Sequence, residues 1–118
     1  MSFADPMAIT YNAVVKNLVR TNQDNSGADY YLDGGTRKYG VAVRHTIPAR
    51  GGNGESHMIR LDVDEHDANG VYLRRNSVWL VAKTFDATQN TTDLTYALNA
   101  LRDFVTSTNA GKLVARES

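Results

Sequence analysis

Residues 56–64 read Ser56-His57-Met58-Ile59-Arg60-Leu61-Asp62-Val63-Asp64. In an extended chain Ile59, Leu61 and Val63 fall on one side, and Met58, Arg60, Asp62 and Asp64 on the other. Alternation of period two suits an antiparallel strand with one face on a core and the other in water. This stretch decides the fold class: a sheet with one apolar and one polar face.

The same period recurs on either side of it. Residues 38–46 put Tyr39, Val41, Val43 and His45 on one face and Gly40, Ala42, Arg44 and Thr46 on the other. Residues 28–32 make a shorter strand between the turn-rich run from Asn22 to Gly27 and a second turn at Asp33, Gly34 and Gly35. Residues 14–21 are rich in β-branched residues with Lys16 and Arg20 interleaved, and residues 7–11 alternate again. Pro48 to Gly54 reads as a loop carrying Arg50. Toward the C-terminus, Asp67, Ala68, Asn69 and Gly70 predict a turn, because Asn-Gly favours positive φ. A long strand follows over residues 71–85, which Arg74, Arg75 and Asn76 could interrupt.

Near residue 86 the period changes. Leu94, Ala97, Leu98, Leu101, Phe104 and Val105 follow the three-and-four spacing of an amphipathic helix. Asn90, Thr91 and Thr92 can cap it, and Asp93 suits its first turn. Asn109, Ala110 and Gly111 read as its end, with a further turn or two over residues 112–117. The expectation is one α+β domain over residues 1–118. It has an antiparallel meander with an N-terminal hairpin at about 7–85 and one or two helices at about 92–117. One helix of about four turns cannot cover a whole sheet face. An intertwined homodimer, with the helices of one subunit over the sheet of the other, is therefore expected; the alternative is a monomer with a strongly curled sheet.

Composition narrows the function classes. A chain of 118 residues fits one domain, and 42% apolar with 22% charged residues excludes a disordered class. The absence of cysteine removes disulfides, thiolate catalysis and Cys-based zinc sites together. Thirteen basic residues balance thirteen acidic ones, so any nucleic-acid binding has to come from a local patch. No apolar stretch is long enough to span a membrane. Residues 1–6 carry no basic or apolar leader region, so no secretory signal is expected.

No catalytic constellation emerges. His45, His57 and His66 lie on separate strands or a strand end, with no Gly-x-Ser-x-Gly elbow and no nucleophile paired to a base. They read as ordinary strand residues. Asp62, Asp64, Glu65, His66 and Asp67 form an acidic run whose oxygens would suit Ca²⁺. Strand alternation separates Glu65 from Asp62 and Asp64, and the spacing matches no EF-hand loop, so the run reads as a solvated strand end. No metal, cofactor, small-molecule substrate or membrane partner is expected.

The order of elements, together with Val43-Arg44-His45-Thr46, Ile59-Arg60-Leu61-Asp62-Val63, Arg75 followed by Val78-Trp79-Leu80-Val81-Ala82, and Phe85-Asp86-Ala87-Thr88 through Leu101, resembles the coat proteins of single-stranded RNA bacteriophages (leviviruses). The resemblance covers almost the whole chain and is one of order and spacing. It implies a non-enzymatic shell protein of the virion, assembled in the bacterial cytoplasm. Dimers would share one continuous sheet, build a quasi-equivalent icosahedral shell, and clasp a hairpin of the single-stranded genomic RNA that represses replicase translation.

The resemblance also implies RNA-facing positions: Arg44, Thr46, Met58, Arg60, Asp62, Ser77, Trp79 and Lys83. Arg44, Arg60 and Lys83 suit phosphates, Thr46 and Ser77 suit phosphate or base edges, and Trp79 suits an unpaired base. Trp79 stands in an unbroken apolar run, so period two leaves open whether it packs under helices or faces RNA. Lys16, Arg20, Arg74 and Arg75 are further basic candidates. Gly40 and Met58 stand where better-known members carry pocket threonines, and the loop near residues 67–73 is shorter than usual. A small dimeric β-sheet enzyme or ligand-binding protein, with its pocket between sheet and helix, is the competing reading.

Overall fold

The computed structural model describes residues 3–47, 54–85 and 91–117. Six strands follow one another: β1 (Met7–Tyr11), β2 (Val14–Asp24), β3 (Gly27–Asp33), β4 (Arg37–Thr46), β5 (Glu55–His66) and β6 (Tyr72–Thr84). They form one antiparallel meander in sequence order, β1 and β6 at its edges. Two helices come last, α1 (Thr91–Phe104) and α2 (Ser107–Val114). Two compact units divide the chain, Met1–Ile47 with Ser56–Val81 and Pro48–Glu55 with Ala82–Ser118. Within the described residues no helix is long and apolar enough to cross a membrane.

The core lies on the apolar side of the sheet. Val63, Leu61 and Ile59 of β5 face Tyr39, Val41 and Val43 of β4, and these face Leu32, Tyr30 and Ala28 of β3. Leu18, Tyr30, Tyr39, Val41, Val43 and Val63 are the buried cluster, with Met7, Ile9 and Tyr11 packed on it. Three strand spacings of about 4.8 Å separate β1 from β4 in a flat sheet. The rings of Tyr11 and Tyr39 are nonetheless only 5.3 Å apart, edge to face. The N-terminal hairpin therefore folds back over the apolar face. Asn12 and Ala13, both at positive φ, close its two-residue turn. The fold-back begins in β2, whose first half pairs with β1 and whose second half, from Val19 on, pairs with β3 across a register shift between Arg20 and Asn22. Such a bulge bends the strand.

Two expectations need correction, and one open point, the continuity of the last strand, is resolved. Asn22 and Gln23 are strand, not turn: the bulge lets Asn22, Gln23 and Asp24 pair with Asp29, Ala28 and Gly27. The turn shrinks to Asn25 and Ser26, held by Asp24 Oδ1, which accepts from Ser26 N at 2.8 Å and Ser26 Oγ at 2.9 Å. Gly27 then opens β3 where the strands run close, and a Cβ there would clash with the Val43 carbonyl oxygen. The last strand, β6, runs unbroken through Arg74 and Arg75, because each guanidinium finds a carboxylate, Glu65 and Asp64 respectively. Secondly, Asn109, Ala110 and Gly111 do not end a helix but lie inside α2. The break comes earlier, where Thr106 is extended and its side chain accepts from Asn109 N, capping α2. Asn109 Nδ2 meanwhile donates to Phe104 O at 2.7 Å and satisfies the end of α1. The cap position Asn90 and most of the 48–54 loop lie outside the described residues.

Candidate nucleic-acid interface

Strand alternation sends the other side chains to the face opposite the core. Asp29, Tyr31 and Asp33 of β3, Lys38, Gly40, Ala42 and Arg44 of β4, and Met58, Arg60, Asp62 and Asp64 of β5 share it. Arg44 stands opposite Met58, and Gly40 opposite Asp62. Thr46 ends β4, exposed, opposite Ser56. From β6, Ser77 Oγ donates to Asp62 Oδ1 at 2.5 Å, and Arg75 pairs with Asp64. Ser77 and Arg75 therefore belong to the polar face, and Trp79 shares their strand phase with 58% of its surface exposed. Lys83 has the same phase further along the strand, exposed and with no ion pair among the described residues.

The structure thus brings Arg44, Met58, Arg60, Asp62 and Ser77 together on one face. It separates three of the other basic candidates from them. Lys16 lies over the Tyr39 ring, and Arg20 donates to the Tyr30 hydroxyl, both on the apolar side. Arg74 also turns to that side, where it meets Glu65 beside Arg37.

The electrostatics of the polar face were not legible in the sequence. Apart from Lys83 near the end of β6, its cations each have a carboxylate: Arg44 with Asp29 at 2.6 Å, Lys38 with Asp33 at 3.9 Å, Arg60 with Asp62 at 3.0 Å, and Arg75 with Asp64 at 2.6 Å. The face is polar and nearly charge-balanced, not a basic patch. An open depression of about 400 Å³ lies on it, with Gly40 and Ala42 among Thr21, Asp29, Tyr31 and Arg60. Asp29, Lys38 and Tyr31 were missed by sequence reading. Their signal was register, since Tyr31 stands opposite Gly40 and Asp29 opposite Ala42.

The Arg75 guanidinium donates to both oxygens of Asp64, at 2.6 and 3.0 Å, and holds this carboxyl below its ordinary value of 3.8. Asp24 is lowered as well, chiefly by the Ser26 amide and hydroxyl. A carboxyl whose folded pKa is depressed contributes stability above its unfolded value and loses it as pH falls through the folded one. The thermal midpoint should therefore stay flat above about pH 5 and drop as pH falls below the ordinary aspartate range near 3.9. Asp64→Asn should flatten part of that slope. Identical slopes in the two proteins would remove Asp64 from the account.

The architecture is that of RNA phage coat proteins. It matches the virus-like particle of Beihai levi-like virus 21 with a TM-score of 0.75 and 14% identity, over 100% of this chain and 98% of that one. It matches the virus-like particle of bacteriophage AVE019 with a TM-score of 0.54 and 11% identity, over 86% of each chain. No curated protein matches the sequence. The family of the phage phiCb5 coat protein matches residues 4–97, and the chain belongs to that family. It is a capsid protein of the virion, a structural protein and not an enzyme, which sets aside the reading as a ligand-binding or catalytic dimer.

Proposed function

We propose that the protein forms homodimers through β6, that the dimers build an icosahedral shell, and that the polar face of the sheet contacts the single-stranded genome. The free edge of β6 supports the dimer. Val78, Trp79, Leu80 and Val81 on it are all exposed in the protomer, and an edge so apolar is a template for pairing with another copy. Leu101 and Phe104 of α1 and Leu113 and Val114 of α2 are exposed too, apolar surface that a partner subunit would cover.

The RNA contact rests on one observation: an exposed Trp79 in strand phase with a hydrogen-bonding face that also carries an open depression of about 400 Å³. With Arg44, Arg60, Lys38 and Arg75 already paired and Lys83 alone without an ion pair among the described residues, phosphate neutralisation contributes little, and stacking and hydrogen bonding outweigh it. Arg44, Arg60 and Lys83 would meet phosphates by exchanging or adding partners; Thr46, Ser77 and Asp62 would meet sugar or base edges; and Met58 would pack against a base. A genomic hairpin held on this face is the means by which the protein would repress replicase translation.

Expression of the chain alone in bacteria tests the reading. Void-volume particles with a nucleic-acid absorbance spectrum are the expected result; a small species free of RNA would overturn it. RNA affinity measured against salt should fall shallowly. At about −0.7 per neutralised phosphate, a total slope of log affinity on log salt of roughly −0.7 to −1.4 would correspond to only one or two such contacts. A slope several times steeper would mean that the ion pairs of the polar face open on binding.

A further inference from the structure

His45 on β4 and His57 on β5 are register partners. Their Nδ1 atoms lie 2.8 Å apart, with ring centroids at 5.1 Å and planes at 66°. They stand on the apolar side of the sheet, away from the polar face, where strand phase places His45 with Val43 and His57 with Ile59. We propose that this pair is a bidentate site for a divalent transition-metal ion of the copper or nickel class.

Two Nδ1 atoms at hydrogen-bond distance share one proton, so one ring donates Nδ1–H and the other offers its lone pair. Metal capture needs both lone pairs. The donor ring gives its Nδ1 proton to solvent and takes one at Nε2, so both imidazoles end neutral and no electron moves. Two Nδ1–metal bonds then replace one hydrogen bond.

The spacing selects the ion. With metal–imidazole bonds of about 2.0–2.1 Å, a separation of 2.8 Å subtends roughly 85° at the metal. That is close to the cis angle of a square-planar or octahedral centre and well short of the tetrahedral angle that zinc prefers. The affinity order of divalent ions points the same way, copper highest.

Hydrogen-bonded neighbouring strands hold both ligands, and His45 N also donates to Ser26 O at 2.7 Å. Both rings are half-buried. An open pocket of about 440 Å³ beside His45, lined also by Gln23, Asp24 and Asn25, provides an approach for the ion and room for water ligands. Among the described residues no cluster of three metal-ligating side chains occurs, so the site is an open one completed by solvent.

The assembled wild-type protein is titrated with CuCl₂, NiCl₂ and ZnCl₂, and its electron paramagnetic resonance spectrum is recorded at half an equivalent of copper. Hyperfine structure from two imidazole nitrogens is expected, with zinc bound more weakly than copper. His45→Asn and His57→Asn should each weaken copper and nickel roughly tenfold or more, as loss of a ligand must at least match loss of an outer-shell partner. His66→Asn should leave affinity unchanged. Equal affinity across the three variants would overturn the site. The wild-type spectrum decides independently of whether a variant folds: one imidazole nitrogen, or none, would also overturn it.

Discussion

Leu18→Ala is expected to lower the free energy of unfolding by about 2–5 kcal/mol, the range for truncating a fully buried leucine. Leu18 has no exposed surface, and it sits where the N-terminal hairpin meets the apolar side of the sheet. Its truncation loses transfer free energy and leaves a cavity that Tyr30, Tyr39 and Val41 cannot collapse into, because their backbones are fixed by the β3 and β4 ladders. Val19→Ala, at a neighbouring position 56% exposed, should change stability by no more than about 0.5 kcal/mol. Denaturant midpoints at one protein concentration make the comparison, since assembly shifts apparent stability by mass action. Equal effects at the two positions would mean that the hairpin does not close the core.

The second large effect is expected on RNA. Trp79→Ala should weaken binding by about 1–3 kcal/mol, roughly fivefold to 150-fold, if an unpaired base stacks on the indole. Trp79→Phe should retain most of the affinity, since an aromatic face remains. Trp79 is the only tryptophan, so quenching of intrinsic fluorescence reports the contact in the unaltered protein. Unchanged affinity in Trp79→Ala particles of normal size, together with no quenching in the wild type, would place the RNA elsewhere. This loss should exceed that from Arg60→Ala, because the Arg60 guanidinium is already engaged by Asp62 at 3.0 Å.

Much of the fold was legible because burial writes a period into the chain. Residues 56–64 declared a half-buried strand, and Leu94, Leu98 and Leu101 declared a helix. Misreadings came where local chemistry competed with long-range pairing. Asn22 and Gln23 look like turn residues, yet ladder pairing across the bulge outweighs their preference. Asn109 to Gly111 look like a helix end, yet Thr106 caps a new helix three residues before Asn109. The candidate site was legible as a polar face but not as a charge pattern. Ion pairs such as Arg44 with Asp29 and Arg75 with Asp64 join residues far apart in sequence, so no local window contains them.

By itself the sequence determined that strands precede helices, which side of each alternating strand is apolar, and that no thiol chemistry is available, since each is a property of short windows or of composition. Tertiary structure alone decided the phase of Trp79, because a continuous apolar run carries no period and only the contacts of Ser77 and Arg75 orient the strand. It alone folded the hairpin back so that Tyr11 meets Tyr39. It alone set His45 against His57, since the register of an antiparallel pair is fixed by packing across the whole ladder and not by the residues that the ladder happens to bring together.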